Sequence, residues 1–400
     1  MHLRWLPPLI LVFLTGGLLQ YTGILSLTQS TILALALFGH VFLIKRSWRS
    51  ARIEWPLFVF LGIIASIQIA RWPPLSYSIT YVFYITCTII SAVSGRIYAS
   101  KVSTGWPDKR LARVAYGFLA LQVAICLFQA MFTDTFIALS RAPIGFEDAI
   151  FGTLYLQSDA ALAAVGELMI IIAFVLPYSP KKRIAVAAMA LLIVFLGNSK
   201  AAQIAITGVL ALMILNALSS SVKLNRHGFG VLALAATIAV ALLSASTWSD
   251  QAAAFIQQSQ DDFFRRDEWE TASRFAPIGQ IFSSGVDLFG NGPLTYYNPI
   301  TKAWLYNAGF STLYPLYIDY GLAGFILYFG YQLGLIAKYS SGILERLSFM
   351  LVLTSFTAFN FALTDISFIF FFNFALMLVH QRRISTSLAD PDKAISGTLN

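Results

Sequence analysis

Residues 251–318 read QAAAFIQQSQDDFFRRDEWETASRFAPIGQIFSSGVDLFGNGPLTYYNPITKAWLYNAGFSTLYPLYI. This stretch decides the fold because it interrupts a chain otherwise made of apolar runs joined by short links. It gathers the cations Arg265, Arg266, Arg274 and Lys302 with the carboxylates Asp261, Asp262, Asp267, Glu268, Glu270 and Asp287, just after Asp250. It also holds the turn Gly290-Asn291-Gly292-Pro293 and a dense set of aromatics. A polar site, if the chain has one, is expected mostly here.

Outward from it, lipid is the solvent. Hydrophobic residues make up 58% of the 400 residues, only 12% are charged, and the mean hydropathy is +0.72. Soluble domains carry about 25% charge. The expected fold class is therefore an all-α polytopic membrane protein. A spanning helix needs about 20 mostly apolar residues. Runs of that kind lie near 5–20, 29–44, 54–70, 75–94, 112–132, 160–178, 184–197, 201–218, 229–247, 313–337, 347–363 and 366–380, which predicts about twelve transmembrane helices. Met1-His2-Leu3-Arg4 leads into an apolar run without a cleavage site, so the first run reads as a retained helix. No repeat or soluble domain stands out. Residues 1–384 form one membrane domain with external loops near 133–159 and 248–312, and 385–400 form a disordered cytoplasmic tail.

Basic residues set the orientation. With the N-terminus inside, twenty of the 27 Lys and Arg fall in cytoplasmic links, among them Lys45, Arg46, Arg96, Lys101, Lys181, Lys182, Arg382 and Arg383. Both termini are then cytoplasmic. The net charge of +8 reflects this topology rather than nucleic-acid binding. Seven bases remain outside against the bias: Arg71, Arg141, Lys200, Arg265, Arg266, Arg274 and Lys302. The two cysteines, Cys87 and Cys126, fall in apolar spans and read as packing residues. Neither a metal site nor a cofactor is expected.

Within 261–276, Arg266, Glu270 and Arg274 share one helical stripe at i, i+4 spacing. Arg265 stands four residues before Trp269, the spacing of a cation–π contact. The segment reads either as a solvated interfacial helix or as a phosphate grip, because guanidinium binds phosphate oxygens in bidentate fashion. Lys200 follows Asn198-Ser199 where two helices meet: a snorkelling lysine, or a base that holds a lipid-linked phosphate. In the other external loop, Arg141 precedes Glu147 and Asp148, which read as loop charges or as a general base. Glu167 lies inside the sixth span, where carboxylates are costly and mark function. Asp319, at the external start of the tenth, is a second candidate. Asp365 reads as a turn or cap residue. His2, His40, His227 and His380 all map to the cytoplasmic side, so external chemistry would run without imidazole.

The order of these features resembles the Wzy-type polymerases and O-antigen ligases of bacterial envelope polysaccharide assembly. Four patches carry the likeness: Leu196-Gly197-Asn198-Ser199-Lys200-Ala201-Ala202, Arg265-x-x-x-Trp269, Leu288-Phe289-Gly290-Asn291-Gly292-Pro293, and Tyr320-Gly321-Leu322-Ala323-Gly324-Phe325. Ser273-Arg274 and Phe146-Glu147 also have counterparts among exopolysaccharide polymerases. Where the ligases place His-Asn before the last patch, this chain has Phe310-Ser311, which favours a polymerase. The resemblance implies a GT-C-like fold and a metal-independent glycosyltransferase of the bacterial inner membrane. It implies undecaprenyl-diphosphate-linked oligosaccharides as substrates, with membrane lipids, a chain-length regulator and a flippase as partners. Catalytic residues would be Arg265, Arg266 and Arg274, with Glu147 or Asp319 as proton acceptor. Lys200, Arg141, Trp269, Tyr296, Tyr297, Trp304 and Tyr314 would bind substrate, although interfacial anchoring accounts equally for the aromatics. The alternatives are a flippase or transporter, a ligase, or a purely structural subunit.

Overall fold

The computed structural model describes residues 6–44, 53–142, 144, 149–154, 159–197, 200–220, 288–294, 297–298, 303–304 and 311–389. The ninth expected span, 229–247, lies outside these residues. The other eleven coincide with helices. They are α1 (Leu6–Phe13) with α2 (Gly16–Tyr21), α3 (Leu27–Ile44), α4 (Trp55–Arg71), α5 (Leu75–Gly105), α6 (Asp108–Met131), then, beyond the short α7 (Thr133–Leu139), α8 (Asp159–Val175), α9 (Pro180–Leu196) and α10 (Lys200–Ser220). After one antiparallel strand pair, β1 (Tyr297–Asn298) and β2 (Ala303–Trp304), come α11 (Leu313–Tyr339), α12 (Ile343–Phe359) and α13 (Ile366–Ala389).

Among the described residues, α5, α6 and α11 are long and apolar enough to cross a membrane, at 31, 24 and 27 residues. Several shorter apolar helices pack with them. Helix α4 shows how lipid shapes the pattern: Leu57, Phe60, Ile64 and Ile67 point inward, while Trp55, Phe58, Val59 and Ile69 stay exposed. A helix apolar on every side suits a bundle whose outer surface meets hydrocarbon.

The centre of the bundle is α5 against α13. Gly95 permits it, because a Cβ there would come 2.4 Å from the Phe370 carbonyl oxygen. Around this contact Phe13, Phe38, Tyr98 and Phe370 form one aromatic cluster, with Phe38 and Phe370 stacked at 5.1 Å. Beside it, α8, α9, α10 and α12 pack together, and the Phe356 and Phe368 rings stack at 3.8 Å. Cys87 and Cys126 are free and fully buried, in agreement with a packing role. Asp365 is the expected cap: its carboxylate accepts from the Phe368 amide at 2.8 Å, at the start of α13.

Two expectations need correction. The first run is not one helix but two, broken at Leu14-Thr15. Part of the expected loop near 133–159 packs into the protein. Residues 149 and 151–154 are buried, and two glutamines of α6 hold them. Gln129 accepts from the Phe151 and Gly152 amides at 3.2 and 2.9 Å, and Gln122 from Thr153 at 2.9 Å. Buried irregular backbone needs protein partners, and these side chains supply them.

The second correction concerns Arg96. It does not lie in a link, because α5 runs on to Gly105; 31 residues at about 1.5 Å each exceed the roughly 30 Å hydrocarbon thickness. Arg96 is 4% exposed and forms an ion pair with Glu54. It also donates to Asn373 Oδ1 at 2.7 Å, and the Tyr331 hydroxyl donates to Glu54 at 3.2 Å. At the end of the bundle that collects most basic residues, Arg382 pairs with Asp108 and Arg383 with Glu345. These pairs tie the last turns of α13 to the first turns of α6 and α12.

Candidate functional site

The clearest built polar site is the break in α11. Gly321 departs from helical geometry with φ 61° and ψ −157°. The peptide groups on either side of this break need partners from elsewhere. Residues 288–294 provide them. Asn291 and Gly292 donate their amides to the Ile318 and Asp319 carbonyls, each at 2.9 Å, and Ala323 donates to the Leu288 carbonyl at 3.0 Å. Gly290 lies so close that a Cβ would sit 2.5 Å from three backbone atoms of Asp319, Tyr320 and Gly321, and its φ is +65°. Only glycine accepts both conditions.

Asp319 anchors this contact. It is completely buried, and its Oδ2 accepts from the Tyr81 hydroxyl at 2.5 Å and from the Leu294 amide at 2.9 Å. The ring of Tyr320 meets Tyr81 and Phe60 edge-on, at 4.7 and 4.9 Å. Arg71, the last residue of α4, donates from Nη1 to the Gly290 carbonyl at 2.6 Å. Its position is fixed by a sharp turn: Trp72 is left-handed at φ 50°, and Gln68 donates to the Pro73 carbonyl while accepting from Ser78. The two glycine patches noted in the sequence thus form one contact, with a cation on its rim.

A second feature is Glu167, 1% exposed, beside a small cleft between α8, α10 and α12.

The remaining candidates are distributed as follows. Arg265, Arg266, Arg274, Trp269, Glu147 and Tyr296 lie outside the described residues. Lys200 opens α10, two residues before Ala202, which lines the Glu167 cleft. Arg141 is exposed; its amide donates to the Tyr21 carbonyl at 3.0 Å, which places it at the end of α2 rather than beside Asp319. Tyr297 and Trp304 are partners across the β1–β2 register. Tyr314 is half-buried in the first turn of α11. Among the described residues no cluster of His, Cys, Asp or Glu could hold a metal.

Sequence reasoning missed the roles of Arg71 and Tyr81. Arg71 was visible as a base against the charge bias, directly before Trp72-Pro73-Pro74; nothing in sequence marked Tyr81. Compared with family models and with curated proteins, the chain matches none.

Proposed function

We propose that the chain is a Wzy-type polysaccharide polymerase of the bacterial inner membrane, with about twelve spans, a GT-C-like arrangement and both termini cytoplasmic. It moves a growing undecaprenyl-diphosphate-linked glycan onto a lipid-linked repeat unit at the periplasmic face. The observation that carries this reading is the joining of two patches of the resemblance: the Gly290-Asn291-Gly292 turn seats on the Tyr320-Gly321 break, with Arg71 bonded to the turn. The cations kept on the outer side of the predicted topology add to it.

In this reading the acceptor hydroxyl oxygen bonds to the anomeric carbon of the donor. The bond from that carbon to the diphosphate breaks, and its electron pair leaves with the phosphate. Arg265, Arg266 and Arg274, with Lys200, stabilise the charge that develops there. Asp319 already accepts two hydrogen bonds in full burial, so it serves as the anchor of the turn, and Glu147 is the better acceptor for the hydroxyl proton. Arg141, Trp269, Tyr296, Tyr297, Trp304 and Tyr314 bind the glycan in this reading.

A deletion strain tests the proposal by gel. Single repeat units on the lipid A core indicate a polymerase. Lipid-linked units trapped in the cytoplasm indicate a flippase, and polymer not joined to core indicates a ligase; either result refutes it. Arg265→Ala, Arg266→Ala and Arg274→Ala should each shorten or abolish the polymer with the protein still in the membrane, and normal chain length in all three contradicts the phosphate role. A second reading, a transporter or flippase, draws on Glu167, since intramembrane carboxylates commonly lie on ion pathways.

A further inference from the structure

Ala160, Ala164 and Glu167 share one face of α8, and they line a cleft completed by Ala202 of α10 and by Ser355 and Asn360 at the end of α12. The alanines leave a space whose volume for the centre of a water-sized sphere is about 10 Å³, room for one water molecule. Glu167 is 1% exposed at this space, and among the described residues neither carboxyl oxygen has a hydrogen-bond partner. A buried carboxylate without a hydrogen-bond donor is among the costly arrangements a membrane protein can hold.

The charges on the surrounding helices stand near the helix ends. On α9, Lys181, Lys182 and Arg183 occupy the first turn, whereas Ala190 is the residue against Gly166. On α12, Glu345 and Arg346 lie about 15 Å of helix rise before Ser355. On α13, Asp365 caps the start, and His380, Arg382 and Arg383 lie in the last turns, where the two arginines hold Asp108 and Glu345. Asp108, Lys109, Arg110 and Arg113 begin α6. Asp159 begins α8 and Lys200 begins α10. Among the residues whose side chains are described, none forms an ion pair with Glu167.

We propose that Glu167 and its cleft form a proton-binding site, in which the carboxyl carries a proton while α8, α10 and α12 are closed together and passes it to a water in the cleft. In that step the carboxyl O–H bond breaks and the proton moves to the water oxygen. The cleft is too small for an organic guest, and its lining offers too few oxygens for a metal cation, which takes about six. The proposal does not depend on the glycan reading: a protein that moves sugars and one that moves ions could both contain it.

The test uses the full chain in lipid nanodiscs. Infrared spectra in water and deuterated water should show a protonated-carboxyl band that Glu167→Gln removes; absence of such a band overturns the proposal. Carbodiimide labelling read by mass spectrometry should modify Glu167, falling about tenfold per pH unit above the titration midpoint and equally in sodium and choline chloride. Protection by sodium at constant pH overturns it in favour of a sodium site. Glu167→Gln replaces a neutral acid with a neutral amide of similar shape, so thermal stability in acid should be unchanged; a marked loss there overturns it by showing that the charged form holds the fold.

Discussion

Replacing Gly290 with alanine is the sharpest test of the contact between the turn and the broken helix. The added methyl would sit 2.5 Å from the backbone of Asp319, Tyr320 and Gly321, and backbone cannot rotate out of the way as a side chain does. Holding alanine at φ +65° costs about 1–2 kcal/mol, and forcing extra volume into a packed site adds roughly 1–3 kcal/mol. The ceiling is set by release of the turn. Its bonds through Leu288, Gly290, Asn291, Gly292 and Leu294 contribute about 1 kcal/mol each, so the turn lifts off once the cost nears about 5 kcal/mol. At about 1.4 kcal/mol per decade, a cost of about 2–5 kcal/mol speeds local opening by roughly 30- to 3,000-fold. Hydrogen exchange of the peptide covering 288–294, measured in nanodiscs, reads this directly. Gly334→Ala is the control, since nothing lies within 4 Å of a Cβ there; it should leave exchange unchanged. Equal exchange in Gly290→Ala and the unaltered protein would refute the docking.

Other outcomes follow from the buried polar groups. Tyr81→Phe removes a hydrogen bond to an enclosed carboxylate and should cost about 1.5–3 kcal/mol, seen as a lower melting temperature in detergent. Arg96→Met alone should cost about 3–5 kcal/mol, because it strands Glu54 without its counter-charge. The pair Arg96→Met with Glu54→Gln should recover most of that loss, and a double-mutant cycle gives the coupling. Cysteines placed at 265 and 274 should react with a membrane-impermeant reagent from the periplasm; labelling only from the cytoplasm would put the arginines on the opposite side from the proposed substrates.

Much of the helix layout was legible because hydrocarbon forces each spanning segment to satisfy its own backbone. Apolar runs therefore mark helices almost by themselves. What escaped notice depends on partners far apart in the chain. Arg96 reads as a link charge because Ser94, Arg96 and Ser100 dilute the apolar run, and its counter-charge Glu54 lies 42 residues earlier. The burial of 149 and 151–154 is not legible because its partners, Gln122 and Gln129, are on another helix. Gly290 reads as an ordinary turn residue; what it touches is 30 residues further along. Asp319 was legible as important but not as an anchor, since Tyr81 Oη comes from a separation of 238 residues.

The interruption at Gly321 has a wider consequence. A continuous helix is indifferent to the loops around it, but this one borrows donors and acceptors from the segment preceding it. Loop and span therefore share a single equilibrium. Whatever prefers the seated turn rigidifies the membrane core, and whatever draws the turn away frees the span to straighten, by the reciprocity that binds any two coupled states. A change at the turn is in this way passed to the helix it seats on.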